Sequence, residues 1–163
     1  MKRILLIACL WLFATSMYAQ EKPTGPVSQS LLPMSNAKME AILKAESEMV
    51  EGNEGYWRVL YGQRILVVVT DEKNNRMRIM TPVTEEKEIK KNQYKEMLQA
   101  QFHKALDVKY ALFDGVLWSM FVHPLKELTE DQLKDAMSQV YFAANNFGSN
   151  YKSTPLEFGA GDD

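Results

Sequence analysis

Apolar positions recur along this chain at two different periods, and each change of period marks a new element. From Ser35 or Asn36, either of which can cap a helix, Met39, Ile42, Leu43, Met49 and Val50 return at helical spacing, and Gly52 supplies a left-handed stop. Beyond it the spacing shortens. Trp57 to Tyr61 and Arg64 to Asp71 are strands at hairpin distance across Gly62-Gln63. Arg76 to Val83 follows Glu72-Lys73-Asn74-Asn75, whose asparagines tolerate positive φ. Glu85 to Leu106 is helical again, with Tyr94, Met97, Leu98, Gln101, Phe102, Ala105 and Leu106 on one face and lysines and glutamates on the other. Tyr110 to Phe113 and Val116 to Val122 flank Asp114-Gly115, a turn whose two residues both need positive φ, and Pro124 ends the second strand. Thr129-Glu130-Asp131-Gln132 is a capping box for a last helix carrying Leu133, Met137, Val140 and Ala144, closed by Gly148. The order α-β-β-β-α-β-β-α predicts an α+β fold with one five-stranded antiparallel sheet flanked by helices.

The alternation inside the strands is unusual. Ile65, Val67 and Val69 point one way, and Leu66 and Val68 the other; Val116, Trp118, Met120 and Val122 oppose Leu117 and Phe121. A sheet with one solvated face should alternate apolar with polar, and this one is apolar on both. Either the helices wrap both faces, or the apolar area left over is shielded by a subunit, a partner protein or a ligand.

Outside the patterned region the composition changes. Met1-Lys2-Arg3 is a basic start, Ile4 to Ala14 is uncharged and mostly apolar, and Thr15 to Ala19 is small and neutral, which is the layout of a secretory signal cut after Ala19. The apolar stretch is shorter than the ~20 residues needed to span a bilayer, so no stable membrane insertion is expected after cleavage. Leu6-Ile7-Ala8-Cys9 resembles a lipidation box, but only five apolar residues precede Cys9 and the apolar run continues past it. The expected location is therefore periplasmic or secreted. Residues 20–34 are rich in proline and read as a flexible linker, residues 35–151 as the folded domain, and residues 152–163 as a disordered tail.

Cleavage would lower the formal net charge from −2 to −4, since Lys2 and Arg3 leave with the signal. It would also remove Cys9, the only cysteine, leaving a chain held by its core without disulfides. Thiol chemistry is excluded in that form. The balanced charge gives no reason to expect nucleic acid, and Lys87, Lys90, Lys91 and Lys95 are interleaved with Glu85, Glu86, Glu88 and Glu96 as on a solvated helix face.

Candidate chemistry is sparse. His103 and Asp107 stand four residues apart on a helix, and His123 would be a third ligand, a set that could hold a catalytic metal. The same histidines fit capping and packing roles. No Gly-x-Ser-x-Gly elbow is present, Ser119 lies inside an apolar strand, and Asp71-Glu72-Lys73-Asn74-Asn75 lacks the later ligands of a calcium loop. Aromatic residues are concentrated on the strands, and Trp57, Tyr61, Trp118 and Phe121 are the candidate binding anchors.

Residues 102–118 run Phe102-His103-Lys104-Ala105-Leu106-Asp107 into Tyr110-Ala111-Leu112-Phe113-Asp114-Gly115-Val116-Leu117-Trp118. The pattern continues through Phe121-Val122-His123-Pro124-Leu125, Leu128-Thr129 and Val140 to Phe147-Gly148. This stretch resembles the YbjN-like family, which shares its fold with type III secretion chaperones. The resemblance spans about residues 35–150, with its distinctive part in the C-terminal half. It implies a non-enzymatic protein-binding module, often dimeric in the chaperone branch, without catalytic residues or cofactors to carry over. Secretion chaperones of this fold work in the cytoplasm, so an export signal argues for a holding or regulatory role on the envelope side. The expectation is thus an exported, non-enzymatic binding module with a protein partner or a second copy of itself. The alternatives are a carrier of a small apolar ligand and a metal-dependent enzyme built on His103, Asp107 and His123.

Overall fold

The computed structural model describes residues 32–156. The expected export signal, most of the expected linker and the end of the expected tail lie outside the described residues. Ser35 caps the first helix, α1 (Asn36–Glu46), accepting a hydrogen bond from the Lys38 amide at 3.3 Å. Four strands follow: β1 (Met49–Asn53), β2 (Tyr56–Tyr61), β3 (Arg64–Asp71) and β4 (Arg76–Glu85). After a 3₁₀ turn at Glu86–Glu88 come α2 (Lys91–His103), the hairpin β5 (Lys109–Phe113) and β6 (Val116–His123), and α3 (Glu130–Asn145). The strands form one antiparallel sheet in the order β1-β2-β3-β4-β6-β5.

The sheet has six strands, one more than the sequence pattern predicts. The helix expected to reach Gly52 stops at Glu46, where Ser47 turns extended, and the Glu48 amide already donates to the Leu60 carbonyl at 3.0 Å. Met49 and Val50 fit either period over so short a run. Gly52 is no helix stop but a strand residue at φ +117° paired with Trp57, and a Cβ there would sit 2.3 Å from the Tyr56 carbonyl oxygen. Other local signals stand as expected. Asp114 and Gly115 have φ of +51° and +69°, and Thr129 and Gln132 bond reciprocally at 2.9 and 3.2 Å to open α3.

All three helices lie on one side of the sheet. Met39 and Leu43 of α1 and Leu133, Met137 and Val140 of α3 cover Trp57, Val59, Leu66, Val68, Met77, Ile79 and Phe121, forming the main core. Ser119 and Thr81 leave room for α3: the Ser119 hydroxyl donates to the Val140 carbonyl at 3.0 Å, and that of Thr81 to the Ile65 carbonyl at 2.9 Å. A smaller cluster joins Met97 and Ala100 of α2 to Leu117 and Tyr151, with Val83, Tyr94 and Phe147 at its margin. The register of β4 on β6 shifts between Pro82 and Thr84, and Val83, which shares the covered side with Thr81, packs on this second cluster at the shift.

The folded unit extends beyond its expected limits at both ends. Met34, assigned to the linker, is buried in the main core, and its amide donates to the Lys126 carbonyl at 3.3 Å. Ser153, assigned to the tail, is buried with its amide on the Lys104 carbonyl at 3.1 Å. Turn-forming composition marked both segments as loops, but the core reaches them all the same.

Candidate functional site: an uncovered sheet face

Every fully buried strand residue belongs to the face under the helices, and among the described residues none of the opposite parity is buried. The register orders this open face into rows. One runs Glu51, Arg58, Val67, Met80, Met120 and Lys109 across all six strands. A second runs Tyr56, Val69, Arg78 and Val122, and another places Leu60 beside Ile65 and Pro82 beside Trp118 and Ala111. Its centre is therefore apolar, built of half-exposed valine, isoleucine, methionine and tryptophan side chains with Val122 53% exposed. The face is wide and shallow, without a deep cavity, so it suits an extended protein surface better than a small molecule.

The candidate anchors divide between the two faces. Trp57 is 1% exposed and Phe121 7%, so both are core residues beneath the helices and cannot be surface anchors. Trp118 lies on the open face, its indole N–H directed at the Phe113 carbonyl at 3.4 Å. Tyr61 is partly buried at the edge of the core, edge-on to Tyr141 at 5.7 Å. Sequence reasoning placed Val67 and Met120 on an apolar strand face without choosing them as anchors, it missed Met80, and it missed a signal that was present. Glu51, Arg58, Arg78 and Lys109 share one parity, which marks the face that meets water.

The metal candidates are not brought together. His103 ends α2, edge-on to Phe102 at 4.7 Å, and lines a cleft between α2 and the Tyr151 turn. Asp107 and His123 line a different depression, with Asp107 accepting from the Gln139 amide at 3.2 Å and His123 Nδ1 2.7 Å from the Pro124 carbonyl oxygen. Among the described residues no three His, Cys, Asp or Glu side chains form a metal-holding group. No helix among them is long and apolar enough to cross a membrane.

The cleft beside α2 has a volume of about 780 Å³ and is lined mostly by polar residues, among them Lys90, Gln93 and Glu96. That lining does not fit an enclosed site for an apolar ligand. In it the Tyr151 hydroxyl donates to the Glu96 carboxylate at 2.7 Å, and this bond, with a second from Asn92, holds the Glu96 carboxyl below its ordinary range. Burial, aided by the bond to Glu96, pushes the Tyr151 phenol up to about 12. Burial also raises the phenol of Tyr110, which donates to the Ala143 carbonyl at 2.8 Å. A raised phenol favours the fold below the unfolded value of about 10, and this contribution is lost as pH rises through the folded value. Loss of α2 packing is therefore expected between about pH 10 and 12. Phenolate absorbance and circular dichroism followed together should change in step; phenolate formation well below that window would contradict it.

The outward side of α2 carries a second apolar patch. Leu98 is 70% exposed and Phe102 80%, one turn apart, although the helical period places them with Met97 on the inward face. Only Met97 and Ala100 of this helix are fully buried. The helix packs through Met97 and Ala100 against Leu117 of β6 and Tyr151, and Leu98 and Phe102 stay outside that contact.

No protein-family model matches the sequence, and no curated protein is similar to it. Solved structures do match. The chain is similar to a structure of the HopA1–SchA chaperone–effector complex, at 15% identity and a TM-score of 0.54, over 75% of this chain and 98% of the other. It is similar also to the Yersinia pestis type III secretion chaperone SycH, solved with a stable fragment of YscM2, at 13% identity and a TM-score of 0.54, over 69% of this chain and 98% of the other. A third match, from the ExsC–ExsE complex, has 9% identity and a TM-score of 0.54, over 77% of this chain and 98% of the other. One antiparallel sheet with three helices on a single side thus gives this chain the α+β fold of the type III secretion chaperones.

Proposed function

We propose that this chain is an exported, non-enzymatic protein-binding module that shields apolar segments of another protein on its open sheet face. The observation that carries the proposal is that face: six strands present an apolar centre with no helix of the described residues over it. The structural neighbours are proteins solved in complex with protein partners, which supports a binding role. The secretory layout of residues 1–19 supports export, and the YbjN-like pattern of residues 102–148 belongs to the same proposal.

The test uses a chemically reduced, unfolded client protein whose aggregation is followed by light scattering. Purified wild type is expected to suppress the aggregation. Val67→Lys combined with Val122→Lys should abolish that suppression while leaving circular dichroism and melting close to wild type, since both positions face outward. Wild type without effect on the client, or a double variant as active as wild type, would overturn the proposal.

A second surface has its own observation. Leu98 and Phe102 form a narrow stripe on α2, and a two-fold copy of the same helix buries such a stripe against itself. We assign this surface to a homodimer. Light scattering should give twice the chain mass for wild type and a single chain mass for Leu98→Glu with Phe102→Glu; a monomeric wild type removes the assignment.

A further inference from the structure

The open face differs in charge from the protein as a whole. The full chain has 19 basic and 21 acidic residues, whereas the open face gathers Arg58, Arg76, Arg78 and Lys109 against Glu51, Asp71 and Glu85. All three acids are already engaged, Glu85 in an ion pair with Lys87 at 2.5 Å. Glu51 lies 3.5 Å from the Arg58 guanidinium, and the Asp71 carboxylate accepts from the Asn74 amide and side chain at 2.9 and 2.7 Å, which holds its carboxyl below the ordinary range. The Arg76 guanidinium donates to the Asn75 carbonyl at 2.9 Å. Among the described residues nothing pairs with the guanidinium of Arg78, although it stands on a central strand between Val69 and Val122. Arg76 and Arg78 share a depression of about 400 Å³ with Asp71, walled by Val69, Met80 and Val122.

An unpaired guanidinium amid apolar side chains is a site for a planar carboxylate, which it can engage by two parallel charge-assisted hydrogen bonds. The valine and methionine walls would take the apolar residues on either side of that carboxylate. Resting on the binding role proposed above, we infer that the segment held on this face is apolar and acidic, with a glutamate or aspartate side chain seated on Arg78. The face thereby distinguishes acidic from basic clients of equal hydrophobicity, because a lysine in the depression would meet two guanidinium groups against one carboxylate, that of Asp71, already hydrogen-bonded to Asn74.

Three fluorescent peptides that alternate valine with glutamate, glutamine or lysine serve as probes, with fluorescence anisotropy as the readout. Wild type should bind the glutamate peptide about tenfold more tightly than the glutamine peptide, and the lysine peptide more weakly still. High salt should shrink that order. Arg78→Gln should remove the preference for glutamate over glutamine while retaining binding of the glutamine peptide, and Arg78→Glu should favour the lysine peptide. Equal affinity for the three peptides overturns the acidic preference yet leaves the apolar binding role standing. If no peptide binds and the unfolded client is also left unprotected, both fall. Binding to vesicles of anionic lipid without discrimination among the peptides also overturns the inference and assigns the cations to a lipid surface.

Discussion

Replacing Trp57 with alanine is expected to cost about 3–5 kcal/mol of stability, whereas the same change at Trp118 should cost about 1 kcal/mol or less. The two tryptophans lie on strands of one sheet and differ in parity. Trp57 is 1% exposed, packed in the main core, and paired with Gly52 and Val68. Truncation there removes a large apolar side chain and leaves a void that the sheet cannot close, because strands on either side fix the backbone. Trp118 faces outward beside Pro82 and Ala111, so its loss opens no cavity. The functional effects should be reversed. Trp118→Ala should weaken protection of an unfolded client while melting near wild type, and Trp57→Ala should lower stability first. Urea denaturation of both variants beside the aggregation assay decides the matter; equal destabilisation would contradict the division of the sheet into a covered and an open face.

Gly52→Ala is expected to cost about 2–3 kcal/mol and to release β1 from the sheet. Two effects act together there. The φ of +117° strains any residue with a side chain, and the added Cβ would meet the Tyr56 carbonyl oxygen at 2.3 Å, which is backbone and cannot swing aside. Strand β1 is an edge strand bonded only to β2, so detachment is the cheapest relief. Hydrogen exchange should show loss of protection in residues 49–53 and in the outer amides of β2, with α3 and β4 unaffected. Unchanged protection in β1 would show that the backbone accommodates the methyl group by another route.

Much of this architecture is legible in the sequence wherever a local rule has a single solution. Asp114-Gly115 can hardly be anything but a tight turn, and Thr129 with Gln132 states where α3 begins. The antiparallel strands from Trp57 to Val83 are likewise visible because their turn residues punctuate the apolar runs. What failed lies where local rules are degenerate. Met49 to Gly52 satisfies a helical and a strand period equally, and only the partner strand β2 decides. On α2 the apolar arc is broader than the contact it makes, so periodicity alone cannot tell that Met97 turns inward while Leu98 and Phe102 remain outside. The candidate site is an intermediate case. Doubly apolar strands announce a face needing a cover, but choosing Trp57 and Phe121 as anchors required knowing which face the helices take. The shared parity of Arg58, Arg78 and Lys109 carried that information.

The makeup of the open face also sets how choosy it can be. Ile65, Val67, Val69 and Val122 are β-branched, with few rotamers to lose, and the packed core behind them holds their backbone in place. Little conformational entropy is therefore lost at these positions when another surface packs on them. Met80 and Met120, paired at the centre, are the opposite: unbranched, polarisable thioethers that reshape to whatever lies on them. A stiff frame around a pliant middle gives useful affinity without demanding one sequence. On the binding role proposed above, such a surface suits a repertoire of clients alike in charge and hydrophobicity, not a single lock-and-key mate.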